Sequence, residues 1–260
     1  MVSNNNDINT VEQIIQDNEY WFPYHYVAKY EPHFTQCYLD SWGINYVATI
    51  EFLLSYISRV KFNSIVDIGC GDGRFTSELS KAFPDANIVG IDYSGRAISL
   101  AKAMSPSIPF IQMDITKSST RGKYDVGILM EVLEHIPPEE VKSFLHGVSD
   151  LLCDGGVLFI TVPHSNKPVE PKHFQHFTVE SLLNCLGDSF EPCKIVLFEK
   201  NSVRKRILDT ILANRFFILN HRKALDLIYK YYKNRLFIAC DENDCKRICM
   251  IVRKRSDRAD

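Results

Sequence analysis

The chain has 260 residues, 45% of them hydrophobic, and a formal net charge of −2. That length suits one α/β domain with additions, and the charge balance argues neither for nor against a nucleic-acid partner. No apolar run approaches the ~20 residues that span a bilayer, and the start, MVSNNNDINTVEQ, lacks a basic region followed by an apolar stretch. The eight cysteines are scattered without a C-x-x-C pair, so a cytoplasmic protein with reduced thiols is expected.

Residues 1–18 are polar. Residues 20–26, then Tyr30, Phe34, Tyr38 and Trp42, form the most aromatic stretch. It reads either as a cap on a sheet edge or as a lid whose rings exclude water over a ligand, with Tyr24, His25 and Tyr26 as candidate substrate contacts. Residues 43–60 carry helical spacing through Val47, Ile50, Leu53, Leu54 and Ile57. Residues 65–68 are an apolar, β-branched run that predicts a buried strand. The run stops at Gly69-Cys70-Gly71-Asp72-Gly73, whose alternate glycines allow a sharp turn and let a ligand lie against bare backbone. A helical pattern covers 74–83. Strand, glycine loop and helix N-terminus in succession hold nucleotide-like cofactors in doubly wound folds. Here the spacing is G-x-G-x-G rather than the dinucleotide G-x-G-x-x-G, and Asp67 and Asp72 flank the loop. Acids make a poor seat for a diphosphate and a good one for a cation.

Asn87–Asp92 predicts the second strand, and Asp92 stands nineteen positions past Gly73. Its carboxylate can accept two hydrogen bonds from a ribose diol, or it can cap the helix predicted over 95–104, a task Ser94 could perform alone. Residues 110–115, 124–130 and 157–163 read as the third to fifth strands, the last preceded by a glycine turn over 152–156. Strands alternating with helices imply a mostly parallel sheet.

Residues 66–73 resemble the first motif of the class I S-adenosylmethionine-dependent methyltransferases, and the resemblance extends over about 45–200. It implies an α/β, Rossmann-like fold: a mostly parallel seven-stranded sheet with an antiparallel last strand. It implies S-adenosylmethionine as cofactor, held by Asp67, Gly69, Cys70, Gly71, Asp92, Tyr93, Met113, Asp114, Ile115 and Glu131. In that likeness Asp114 meets the adenine amino group and Met113 or Ile115 packs near the ring. A sulfonium and an ammonium group would suit the loop carboxylates.

The fourth strand runs into Glu131-Val132-Leu133-Glu134-His135. Ligands in open α/β sheets bind beyond the carboxyl ends of strands, so this turn faces the reaction. His164, His173 and His176 follow the fifth strand. Two Glu and two His with positions left for water would suit an octahedral divalent cation such as Mg, Mn, Co or Fe. The group is similar to that of the small-RNA 3′-end 2′-O-methyltransferases and, in a related arrangement, of ubiquinone-biosynthesis O-methyltransferases. That match implies Glu131, Glu134, His135 and His176 as ligands of a cation that lowers the acceptor hydroxyl's pKa, with His173 as general base. In metal-free relatives the first Glu lines the methionine end and the His is a base or a structural hydrogen-bonder, which leaves His135, His173 or His176 as candidate base. The asparagine-rich sequence that follows the fifth strand in the RNA enzymes is missing, which weighs against RNA.

Residues 203–235 read as helical and basic, nine Lys/Arg facing only Asp209 and Asp226. They form either the solvated face of a packed helix pair or a patch for an anionic substrate. Residues 236–254 predict a hairpin turning near 241–244 into a last strand over 248–252. Cys240, Cys245 and Cys249 are the closest thiols, but three are few for a metal, and a thiol in a strand needs no special role. The chain thus divides into an N-terminal cap or lid (1–42), a cofactor-binding core (43–200), a basic helical insertion (201–236), and a C-terminal hairpin with its tail (237–260). The function expected is an O-methyltransferase acting on a hydroxyl of a sugar or nucleotide-linked sugar, such as a surface-glycan precursor. The alternatives are 2′-O-methylation of an RNA 3′ end, a module that binds S-adenosylmethionine without catalysis, and a nicotinamide-dependent oxidoreductase, which the glycine spacing disfavours.

Overall fold

The computed structural model describes residues 10–20, 24–26, 42–117, 123–214, 216–219, 221–239 and 241–255. Trp21, Phe22, Tyr30, Phe34, Tyr38, Cys240 and the side chains of Tyr24 and Trp42 lie outside the described residues. The strands are β1 (Ser64–Ile68), β2 (Asn87–Asp92), β3 (Phe110–Gln112), β4 (Tyr124–Met130), β5 (Leu152–Pro163), β6 (Phe190–Lys200) and β7 (Cys245–Lys254). They form one sheet in the order β3-β2-β1-β4-β5-β7-β6. The pairs from β3 to β5 are parallel, whereas β7 runs antiparallel to both β5 and β6.

The alternation of strand side chains sorts the apolar residues into two cores. Ile65, Val126, Ile128, Val157 and Phe159 face one way, onto α2 (Trp42–Ile57), α3 (Arg74–Ala82) and α8 (Arg222–Arg235). Val66, Ile68, Leu129, Leu158, Ile160 and Val162 face the other way, onto α5 (Val141–Leu151) and α6 (Val179–Leu186). Both faces being covered explains why these strands read as continuous apolar runs. A smaller cluster of Cys70, Ile98, Ala101 and Phe110 seats α4 (Gly95–Met104) beside β3. The remaining helices are α1 (Val11–Glu19) and α7 (Val203–Leu212). Ser94 caps α4, Thr178 and Ser181 form a capping box on α6, and Ser202 caps α7.

Three expectations need correction. The third strand stops at Gln112, because Asp114 accepts hydrogen bonds from the backbone and side chain of Thr116 and opens a 3-10 turn over Ile115–Lys117. The fifth strand starts earlier, at Leu152, and carries Gly155 and Gly156 inside it beside a register shift. Last, residues 236–254 are not a hairpin. Every residue over 248–252 is buried, alternating between the two cores, and the strand's two edges pair with β5 and β6. The preceding segment contributes a single bridge, Ile238 to Phe198. Among the described residues no helix is long and apolar enough to cross a membrane.

Candidate active site at the carboxyl edge of the sheet

The tip of β1 turns at Gly69, Gly71 and Gly73, all with left-handed φ of 70°, 56° and 78°. The carbonyl of Ile91 on β2 accepts from the N–H of both Gly69 (2.8 Å) and Cys70 (3.0 Å), which fixes the loop across the end of β2. The N–H of Gly71 donates to Asp92 Oδ2 and that of Ser94 to Asp92 Oδ1, each at 2.9 Å. Asp92 therefore joins the glycine loop to the start of α4, while Ser94 does the capping. Burial pushes Asp92 up to about 6, against the backbone hydrogen bonds that favour its charged form. Asp67 points to the opposite face, where Thr76 Oγ1 donates to it at 2.6 Å, and burial raises it to about 7. Asp67 thus supports α3 from below.

The N-terminal segment lies over this loop. Ser94 Oγ donates to Asp17 of α1. A Cβ on Gly71 would meet Tyr20 Oη at 3.0 Å. His25 Nδ1 stands 3.0 Å from the buried carboxylate of Asp72, and its ring stacks on Tyr46 at 5.1 Å. Tyr26 Oη donates to the Asp72 carbonyl at 3.4 Å. Asp72 Oδ2 is buried with no hydrogen-bond partner among the described residues. Of the other expected cofactor contacts, Ile115 is buried and Met113 half-buried beside the α5 core. Tyr93 is exposed. Asp114 is exposed too, its carboxylate engaged by Thr116 and Lys117.

The tip of β4 separates its two glutamates. Glu131 has φ 58°, which is left-handed and unusual for a residue with a side chain. Its carboxylate pairs with Arg247 of β7, whose Nε also donates to Glu199 Oε2 at 2.7 Å. Glu199 has φ 57°, and these two are the left-handed non-glycine residues among those described. Burial lowers Arg247 to about 10 and raises Glu199. Local strain at both ends of one buried guanidinium marks a constructed feature.

Glu134 goes elsewhere. With His135 and His173 it forms a group whose ligand atoms lie within 4.8 Å of one another. Glu134 is 1% exposed, its Oε2 has no hydrogen-bond partner, and burial raises it to about 8. His135 Nδ1 lies 2.9 Å from the Lys172 carbonyl, and His176 Nδ1 lies 2.8 Å from the Lys167 carbonyl. A carbonyl only accepts, so each of these nitrogens carries the proton. His176 Nε2 must then accept, and His173 Nδ1, 2.8 Å away, must donate to it. The chain of donors leaves bare lone pairs on Nε2 of both His135 and His173. Desolvation holds these imidazoles neutral, His135 at about 4 and His173 at about 3. The four ligands expected from the sequence therefore do not converge. Glu131 belongs to Arg247, and His173 rather than His176 stands with Glu134 and His135. Outer carbonyl partners that fix imidazole tautomers are the usual support of a metal site. The three side chains fit a divalent cation by donor chemistry.

Residues 65–156 match a family model described as a methyltransferase domain. The ubiquinone biosynthesis O-methyltransferase of Erwinia tasmaniensis is 24% identical over 123 residues, 45% of this chain and 49% of that protein. The trans-aconitate 2-methyltransferase of Deinococcus radiodurans is 32% identical over 140 residues, 54% of this chain and 49% of the relative. The crystal structure of the N-methyltransferase NodS from Bradyrhizobium japonicum, in complex with S-adenosyl-L-homocysteine, superposes with a TM-score of 0.54 at 17% identity, covering 80% of this chain and 86% of NodS. Over residues 65–156 the chain is thus similar to a methyltransferase domain, and its fold is that of solved methyltransferases. The chain spans about half the length of the curated relatives it matches.

Sequence reasoning missed three residues around this site. Arg247 and Glu199 lie on β7 and β6, far along the chain from Glu131. A cation just ahead of the apolar run 248–252 was the available signal, since a lone arginine entering a buried strand requires an acid opposite. The other omission is Asp17, whose place beside Ser94 nothing in its polar surroundings announced.

Proposed function

We propose that the chain transfers a methyl group from S-adenosylmethionine to a hydroxyl of a sugar or nucleotide-linked sugar, with a divalent cation at Glu134, His135 and His173. The observation that carries the oxygen acceptor is the pair of neutral imidazoles beside the partnerless Glu134 oxygen. A hydroxyl must lose its proton to accept a methyl, and at a pKa of roughly 13–16 it needs help at neutral pH. An imidazole held near 3 or 4 is a weak base for that task, but its bare Nε2 is a ready ligand.

Asp92, at the ribose position of the class I fold, would orient the donor, and Asp72 would face its cationic end. Arg247 holds Glu131 at the tip of β4, where the methyl group is delivered. The N-terminal segment, through Asp17, Tyr20 and His25, would close over the donor and exclude water. When bound, the cation would lower the pKa of the acceptor hydroxyl. Positioning and desolvation by these residues would supply most of the remaining rate, because methyl transfer from a sulfonium is an in-line displacement.

The test is transfer of label from S-adenosylmethionine to nucleotide sugars and to short RNAs, with and without EDTA. Labelled nucleotide sugar that disappears on chelation and returns with Mn or Mg supports the reading. Turnover that ignores EDTA and survives Glu134→Gln rejects the cation. Label appearing only on RNA rejects the sugar in favour of an RNA 3′ end.

A further inference from the structure

The helix pair between β6 and β7 presents a surface that the methyl-transfer site does not use. On α7, Lys205, Leu208 and Leu212 face inward, yet Val203, Ile207 and Ile211 are 63%, 56% and 41% exposed. These three recur every fourth residue and so form one outward row along the helix. Just past the end of α7 come Phe216, Phe217 and Ile218, exposed by 88%, 55% and 55%. Leu227 and Tyr231 repeat the pattern on the outer side of α8. A run of uncovered side chains this large is not ordinary surface.

The charges around it have one sign. Arg204, Arg206, Arg222, Lys223, Lys230 and Arg235 are all exposed, whereas Asp209 and Asp226 are both half-buried. At 100° per residue, Arg204 and Arg206 fall on either side of the row of Val203, Ile207 and Ile211. Asp209 is turned inward onto Lys205. An apolar row with aromatic residues at one end and cations on its flanks is the pattern of a helix lying in the headgroup region of an anionic bilayer. An RNA would use the cations and stack on the phenylalanines, but it has no use for a row of Val and Ile. A protein partner would be served by the apolar row, but not by a rim of cations alone.

We propose that α7, α8 and Phe216, Phe217 and Ile218 dock the protein on an anionic phospholipid surface, the apolar row entering the headgroup region. The consequence for the reaction lies in Lys205. It starts α7 on its inner side, and its charge acts on Glu199, which shares Arg247 with Glu131. The docking surface and the acceptor end of the site are therefore joined by one buried charge network, and the acceptor would be met at the membrane.

The experiment is co-sedimentation of the full chain with two sets of vesicles, pure phosphatidylcholine and an equimolar mixture with phosphatidylglycerol. Binding to the mixed vesicles and not to the neutral ones is expected. Arg222→Glu with Lys223→Glu should weaken it at least twentyfold, at about fivefold per cation lost, and added salt should weaken it in the same direction. Phe216→Ser with Phe217→Ser should weaken it at least tenfold at every salt concentration. Both pairs are exposed, so circular dichroism and calorimetric binding of S-adenosylhomocysteine should match the parent. Absence of sedimentation with mixed vesicles, equal binding to neutral vesicles, or indifference to both variants would overturn the proposal. So would light scattering showing a dimer that Phe216→Ser dissolves, or a short RNA that competes the protein off the vesicles. Retained vesicle binding with no methyl transfer would leave this inference standing and remove the reading of the site.

Discussion

Gly73 and Gly155 both have left-handed backbones, at φ 78° and 73°, but an added methyl group would meet different surroundings at each. At Gly73 a Cβ would lie 2.7 Å from Phe110 Cζ and 2.9 Å from Ala101 Cβ; at Gly155 it would meet nothing within 4 Å. Phe110 has no room to step aside, because its ring also rests on Gly90, where a Cβ would sit 2.5 Å from Cδ1. The left-handed conformation itself costs an alanine ~1–2 kcal/mol at either site. Overpacking adds ~1–3 kcal/mol at Gly73 alone. Gly73→Ala should therefore destabilise by roughly 2–5 kcal/mol and Gly155→Ala by roughly 1–2 kcal/mol. With a urea m value of about 2–3 kcal/mol/M, the two midpoints should differ by about 1 M. Urea unfolding followed by far-UV circular dichroism measures this, and calorimetry with S-adenosylhomocysteine should show lost affinity for Gly73→Ala, whose site opens α3. Equal midpoints for the two variants would refute the packing argument, because strain alone would then account for Gly73.

Burial holds Glu134 at about 8 against an ordinary 4.5, so between those values the folded chain keeps a proton that the unfolded chain has released. Stability in the presence of a chelator should fall as pH rises through that window, and Glu134→Gln should flatten part of the slope in Tm; an unchanged slope would dispose of the burial argument. Arg247→Met leaves the carboxylates of Glu131 and Glu199 without their shared cation and should cost about 3 kcal/mol in urea unfolding. Adding Glu199→Gln should recover part of that loss, and no recovery would mean that Arg247 acts through packing alone. Tyr232 Oη donates to the buried Asn45 Oδ1 at 2.7 Å, so Tyr232→Phe should cost about 1–2 kcal/mol; a neutral result would show that water replaces the hydroxyl.

The elements that the sequence announced are those whose cause is local. The β1 run ends at glycines, α4 starts at Ser94 with its own cap, and both follow from residues a few positions apart. The elements misread depend on partners further off. An apolar run over 110–115 looks like strand throughout, yet Asp114 finds Thr116 two residues on and the backbone turns. Residues 248–252 look like the second arm of a hairpin because a turn precedes them. Instead their two edges pair with β5 and β6 while their two faces join the two cores, and Thr161 opposite Cys249 opposite Val196 is a pairing no local pattern contains.

The site shows the same division more sharply. Glu131 and Glu134 are three apart, and on a helix that spacing would put both carboxylates on one face. The short 3-10 turn begins only at Leu133, and the chain arrives there through a left-handed Glu131. The reversal sends the first carboxylate toward β7 and leaves the second with the imidazoles. The residue that decides the matter, Arg247, lies 116 positions away. Positive charge is thus already provided to Glu131 by the protein, while Glu134 Oε2 has no hydrogen-bond partner among the described residues. Glu134 is the acid whose burial outweighs the help it has from a backbone hydrogen bond and from Lys167 and Lys172. The separation of the two glutamates, one paired with Arg247 and one beside two imidazoles, rests on a backbone angle at Glu131 and not on the residue types that the sequence displays.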